Sequence, residues 1–253
     1  MKTVMTIMRT AIIVALAAGI LAGQAQTQAQ TQPQTPAPQE PAFRPALLEQ
    51  PFPDFSMPTY QGGSLTLSSL RGKNVVLIIS RVYAGEGRYC TICDYKYAEA
   101  VEVEKKAKLR EKYNAEVLFL FAFSREEVAK WLAALPAQLE KIKNGKNPPE
   151  PEKLDQQGKE RMERMRKFFP LDLSLKEGEV PLPFPLLLDA DRKLSKTLGV
   201  FATEWSGSKG DQGIPSVFIL DKNGILQFKY IGQNTADRPS YEYLMKILNM
   251  IGR

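Results

Sequence analysis

The most constraining stretch of this chain is a strand, a loop and a paired-cysteine helix start, in that order. The apolar run Val75 to Ile79 is patterned as a buried strand, and the loop Arg81 to Tyr89 follows it. Cys-Thr-Ile-Cys, residues 90 to 93, then opens a segment running to Tyr113 with helical patterning. These are the only two cysteines in the 253 residues. Strand, loop, CxxC and helix together lay out a thiol–disulfide active site. A helix N-terminus offers unpaired N–H groups and the positive end of a dipole. Both favour a thiolate on Cys90, with Cys93 one turn on to resolve a mixed disulfide.

Two blander readings compete. A disulfide closing so short a loop removes only about 2 kcal/mol worth of unfolded-chain entropy, so a purely structural staple gains little. Half of a zinc site is the other. Zinc takes four ligands, and the chain supplies two cysteines and no histidine. No metal or organic cofactor is implied.

The N-terminus carries Lys2 and Arg9, an apolar stretch from Ala11 to Leu21, and small residues at Ala22, Gly23 and Ala25. That is the pattern of a secretory signal peptide over residues 1–25, cleaved after Ala25. The apolar run is short for a membrane span, which needs about 20 residues. A retained anchor is the alternative, and it is the only membrane contact expected. No cysteine lies directly after the run, which excludes a lipoprotein anchor. Residues 26–45 are Gln, Thr, Pro and Ala with almost no charge, the composition of a disordered linker. Residues 46–253 suffice for one well-buried domain. A periplasmic or secreted location places the cysteine pair in an oxidising compartment.

The net charge is +6, and a leader lost with Lys2 and Arg9 would leave +4. Lys105, Lys106, Lys108 and Arg110 alternate with Glu102, Glu104 and Glu111, as on a solvated helix face. Nucleic-acid binding has little support.

Phe55–Tyr60 and Ser64–Leu67 flank Gly62-Gly63 as a hairpin. Glu116–Phe123 is a second apolar strand, after which Ser124 and Glu127 form a capping box. Residues 135–180 break the alternation with a Pro-Pro stop, many charges and a helix predicted over Lys153–Phe169. This is an insertion, serving as surface decoration or as a lid or partner surface. Phe184–Leu188 is a short strand and Ala190–Leu198 a helix. Ser216–Leu220 and Ile225–Ile231 form a hairpin around Asp221-Lys-Asn-Gly224, and Ser240–Ile251 is a closing amphipathic helix. The predicted class is α/β, with a mixed central sheet, helices on both faces and a helical insertion.

Several segments together resemble the thioredoxin superfamily, in the branch of alkyl-hydroperoxide-reductase and thiol-specific-antioxidant proteins and exported thioredoxin-like reductases. They are PDFSMPTYQGGSLTLSSLRGKNVVL, YCTIC, FPLLLDADRKLSKTLGVF and GIPSVFILDKNGIL. The resemblance covers about residues 50–253 outside the insertion. It implies a thioredoxin-like fold and a cis proline facing the CxxC, matched by Ile214-Pro215, with an ordinary trans turn proline as the alternative. A cis bond there turns the backbone of residue 214 towards an extended substrate. Tyr89 stands at the family's aromatic position before the first cysteine.

Peroxiredoxins of this branch carry Pro-x3-Thr/Ser-x2-Cys and an arginine on a later strand. Counted back from Cys90, those positions hold Tyr83 and Gly87, and Pro215 stands where the arginine would fall. Thioredoxin's buried acid on the strand before the loop is also missing. Arg81 and Arg88 are candidates for lowering the Cys90 pKa, otherwise loop surface charges. Glu86 is a candidate proton relay, and Trp205 is a candidate to pack beside the site from the loop before Pro215, with core or rim packing as the alternative.

The expected function is an exported thiol–disulfide oxidoreductase in which Cys90 reacts and Cys93 resolves. Its partners would be a thiol or disulfide protein and an electron-donor redox protein. The alternatives are a peroxiredoxin-like peroxidase, a copper-handling or assembly protein, and a binding module with a fixed disulfide.

Overall fold

A computed structural model describes residues 46–85 and 87–252 of the chain. The leader, the linker and Glu86 lie outside the described residues.

In chain order the elements are β1 (Ser56–Pro58), β2 (Ser64–Thr66), β3 (Asn74–Ser80), α1 (Thr91–Ala107), α2 (Leu109–Lys112) and β4 (Ala115–Phe121). Then come α3 (Arg125–Lys146), α4 (Gln156–Phe168), β5 (Leu186–Leu188), α5 (Lys193–Thr197), β6 (Phe201–Trp205) and β7 (Ser208–Gly213). The chain closes with β8 (Ser216–Leu220), β9 (Leu226–Ile231) and α6 (Tyr241–Ile251).

Five strands make the central sheet, ordered β5-β4-β3-β8-β9. β3 and β5 run parallel to β4, while β8 is antiparallel to β3 and to β9. The sheet is therefore mixed, as the α/β class predicted. Its strands are apolar on both faces because both faces are covered. Val117, Phe119 and Phe121 of β4 and Val217 and Ile219 of β8 pack under α1, α3 and α6. Leu118, Leu120, Phe218 and Leu220 point the other way, against α5, Phe52 and Leu67. The two-residue side-chain period of a strand divides one sheet between two cores.

The predicted hairpins form: β1 pairs with β2, and β8 with β9 around the Asp221–Gly224 turn. Ser124 and Glu127 complete their capping box at the start of α3, with Ser124 N–H donating to Glu127 Oε2 at 2.9 Å. The predicted helix to Tyr113 breaks instead at Lys108, whose left-handed φ of 45° separates α1 from α2. Helix α3 does not end at residue 135. It runs through Pro136 to Lys146, and Leu135 and Leu139 are core residues. α4 starts at Gln156 rather than Lys153 because Asp155 is its N-cap, accepting from Gly158 N–H at 2.7 Å.

One pair of strands was not foreseen. β6 and β7 form a separate hairpin turned by Ser206 and Gly207, with φ of 51° and 75°. Positive φ at both central residues is the signature of a tight hairpin turn. Gly213 ends β7 so close to Ser80 that a Cβ would meet the Ser80 carbonyl at 2.7 Å. Only glycine admits that approach, and it seats the hairpin beside the end of β3. Among the described residues no helix is long and apolar enough to cross a membrane.

Candidate active site

The site is built where β3 hands over to α1. Past Ser80 the chain turns through Val82, whose φ of 62° is a left-handed conformation that a β-branched residue rarely adopts. Strain of this kind costs about 1–3 kcal/mol and persists where the surroundings hold it. Here it presents the Val82 carbonyl to the Cys90 N–H at 2.7 Å. A bridge between Tyr83 and Tyr89 closes the intervening loop, and their rings stack 5.5 Å apart. Cys90 thus becomes the N-cap of α1, and its carbonyl accepts the first helical bond from Asp94 N–H at 3.0 Å. Cys93, in the first turn, is brought against it.

Both cysteines are free thiols and both are buried, Cys90 3% and Cys93 6% exposed. They share one hydrogen bond, and their surroundings decide which sulfur holds the negative charge. The Cys90 side chain makes no cap hydrogen bond to the helix. Cys93 receives far more help. Arg238 donates from Nη2 to its Sγ at 3.6 Å, and the Arg81 backbone N–H faces it. The thiol hydrogen bond from Cys90, followed by the Arg238 charge and hydrogen bond, holds Cys93 well below the usual thiol range despite its burial. Cys90, donating that bond to Cys93 and desolvated, is pushed well above it. These surroundings favour the negative charge on Cys93, with Cys90 as its hydrogen-bond donor, where a Cys90 thiolate was expected. The shared hydrogen bond is the first cause, and the Arg238 guanidinium adds a full charge at hydrogen-bonding distance where the helix end offers only a partial one.

Arg238 reaches the sulfur from the loop between β9 and α6. Asp237 fastens that loop by accepting from the Tyr230 hydroxyl and from Gln233 N–H, and Arg238 Nη1 donates to the Asp237 carbonyl at 2.8 Å. Ser240 caps α6 immediately after it. The sequence reading missed Arg238 altogether; its only signal was a cation beside a helix cap.

A second missed residue is Asp94, fully buried next to Cys93. Its Oδ1 accepts from Trp131 Nε1 at 2.7 Å, and its Oδ2 has no partner. Burial, with the Cys93 charge adding to it, raises its pKa well above the usual carboxylate range. The chain thus has a buried acid after all, on the helix rather than the strand.

Other predicted residues fare differently. Arg81 is not a surface charge: it is 2% exposed, with Nε donating to Gln212 Oε1 at 2.8 Å. Arg88 is exposed, and Tyr89 is half-buried on the Tyr83 ring. The Ile214–Pro215 bond is trans, since the described residues contain no cis peptide, and this corrects the cis expectation. The Ile214 backbone is also already engaged. Its N–H donates to the Val200 carbonyl at 2.7 Å, and its carbonyl accepts from Ser216 Oγ at 2.9 Å. Both backbone groups of residue 214 thus already have a partner inside the fold. No group of three or more His, Cys, Asp or Glu side chains converges among the described residues to hold a metal.

With a buried dithiol at a helix start on this sheet, comparison with known proteins gives the family. The AhpC/TSA family matches residues 48–229. The chain belongs to the AhpC/TSA family. It is, with that family, a thiol-dependent oxidoreductase of the thioredoxin-like superfamily. No curated protein sequence matches the chain. Among solved structures it is similar to a cysteine-to-serine mutant of peroxiredoxin 6 from Arenicola marina. That match has 13% identity and a TM-score of 0.51, over 80% of this chain and 72% of that one. It is also similar to the reduced 2-Cys peroxiredoxin of Plasmodium vivax, at 17% identity and TM-score 0.49 over 81% of each chain. The A. marina likeness supports the thioredoxin-like fold of this AhpC/TSA member.

Proposed function

We propose that the protein is an exported thiol peroxidase working through an intramolecular disulfide, with Cys93 as nucleophile and Cys90 as resolving cysteine. The observation that carries the reading is Arg238 Nη2 at 3.6 Å from Cys93 Sγ, in a pocket where Cys90 hydrogen-bonds the same sulfur. Counted from Cys93, the peroxiredoxin motif places its hydroxyl residue at Cys90, which supplies the equivalent hydrogen bond from sulfur. The arginine arrives from a loop after β9 instead of from a strand. Both parts of the motif's chemistry, a donor and a cation on the reacting sulfur, are then present from different residues.

In the first step the Cys93 thiolate attacks the distal oxygen of a hydroperoxide. The S–O bond forms, the O–O bond breaks, and the leaving alkoxide takes a proton and departs as an alcohol. Arg238 stabilises the charge as it moves from sulfur to oxygen. The Cys90 sulfur, deprotonated, then attacks the Cys93 sulfenic acid, and water leaves as the disulfide forms. An external dithiol restores the pair by exchange, delivering two electrons and two protons.

Direct disulfide exchange with a protein substrate is the second reading, favoured by the adjacent pair at a helix start. The burial of both sulfurs and the engaged Ile214 backbone favour a small oxidant over a polypeptide. Stopped-flow oxidation of the reduced protein by hydrogen peroxide, beside a disulfide peptide, separates the two. Peroxide reacting orders of magnitude faster than with a free thiol, lost in Cys93→Ser, supports the peroxidase. A fast peptide and a slow peroxide would overturn it. Export rests on the Lys2-to-Ala25 pattern, and an intact Met1 in secreted protein would refute cleavage.

A further inference from the structure

Beside the thiols lies a cavity of about 970 Å³, between the 83–88 loop, the β6–β7 turn and the loop that carries Arg238. It shares two walls with the sulfur pocket. One is Arg81, whose backbone N–H faces Cys93. The other is Thr235, whose carbonyl accepts from Arg238 Nη1 at 3.4 Å. Its size is that of a small-molecule site.

The lining carries three cations and two acids. Arg81, Arg88 and Lys209 contribute cations. The two acids present are already engaged. Glu127 accepts from Ser124 N–H, and Asp211 pairs with Arg192 at 2.6 Å. Arg81 matters most. Its Nε edge is held by Gln212, fixing the guanidinium, while its Nη2 is buried with no hydrogen-bond partner. A buried cationic donor without an acceptor costs about 1–3 kcal/mol or more, so an acceptor that reached it would be held firmly. A planar guanidinium edge suits a carboxylate. The Tyr83 and Phe123 rings, which pack edge-to-face 5.0 Å apart and both line the cavity, give the apolar part of a ligand a surface.

We propose that this cavity binds a small organic carboxylate on Arg81, and that the hydroperoxide substrate carries that carboxylate. The second half rests on the peroxidase reading; the first does not. The acid anchors on Arg81 while the Cys93 thiolate takes the distal peroxide oxygen and the hydroxy acid leaves.

The test compares a hydroperoxy fatty acid with its methyl ester, which differs only in charge. It measures oxidation of Cys93 in the reduced protein, with calorimetric binding of decanoate in parallel. The acid should react roughly tenfold faster than the ester, the worth of one charged hydrogen bond. The preference should vanish in Arg81→Met and shrink in Lys209→Glu, an exposed rim change that spares the core. Decanoate affinity should fall in the same order. Equal rates for acid and ester in the unmodified protein would overturn the substrate assignment. Decanoate that fails to bind, or binds both variants as well as the unmodified protein, would overturn the site. If neither hydroperoxide oxidises Cys93 while decanoate binds through Arg81, the peroxidase reading falls and the carboxylate site stands.

Discussion

Two buried polar corners of this molecule treat their charges in opposite ways. In the corner between α3 and α4, Lys146 is 4% exposed, and its ammonium is fully used. Nζ donates to the carbonyls of Phe169 and Leu171 at 2.6 and 2.8 Å and pairs with Asp172 at 2.8 Å. Three donors meet three acceptors. In the thiol corner Arg81 is just as buried, yet its Nη2 is unpartnered, and so is Oδ2 of Asp94. A satisfied buried charge fixes structure, whereas an unsatisfied one persists where chemistry or a ligand supplies the missing partner. The first corner is fully paired; the second is not.

The comparison breaks most sharply at the sulfurs. Cys93→Ser should abolish peroxide consumption. Cys90→Ser should still be oxidised once and stop at a sulfenic acid, seen by mass spectrometry as one added oxygen. If the two variants exchange behaviours, the thiolate assignment is wrong. Next in size is Arg238→Met. A cation this close changes the neutral-pH thiolate fraction about tenfold or more. Absorbance near 240 nm should show a Cys93 thiolate at neutral pH, and the variant should titrate towards the ordinary thiol value of about 8.5. An unchanged titration would remove Arg238 from the site.

On the structural side, Lys146→Met should cost about 3 kcal/mol, because two or three acceptors lose their donor inside the protein. Urea unfolding measures that loss, and the rate of thiol oxidation should not move. The smallest effect is Asp94→Asn. Asp94 is raised by burial. A carboxyl with a raised folded pKa favours folding fully below its unfolded value of about 3.9. That contribution is lost as pH rises through the folded pKa. The asparagine variant has no such titration, so it should match the unmodified protein near pH 4 and gain on it as pH rises. Parallel urea midpoints across that window would show Asp94 is not the titrating group.

Much of this was legible locally. The capping box at Ser124, the Asp221–Gly224 hairpin and the CxxC at a helix start each rest on neighbouring residues, and each is found as expected. The reactive corner was not, because its parts come from across the chain. Arg238 lies 145 residues from Cys93, and Gln212 lies 131 from Arg81. β7, Ser-Lys-Gly-Asp-Gln-Gly, has no apolar alternation to mark a strand. Its one local clue was Ser206-Gly207, a turn pair whose strands are defined by pairing and not by burial. Reading Arg81 as a surface charge failed for the same reason: the residue that buries it is on that unseen strand.

The insertion and the residue just past it are tied to the helix that bears the thiols. The Tyr95 hydroxyl accepts from Leu171 N–H at 2.8 Å, the Tyr97 hydroxyl donates to the Pro181 carbonyl at 2.7 Å, and the Tyr95 ring packs on Phe169. These contacts begin two residues past Cys93. A trimmed version of the protein, engineered down to the bare sheet and its covering helices, would unbutton α1 along the side that starts just past Cys93. The segment is not modular cargo on a thioredoxin-like chassis: without it the Tyr95 hydroxyl loses its donor and the Tyr95 ring its Phe169 contact.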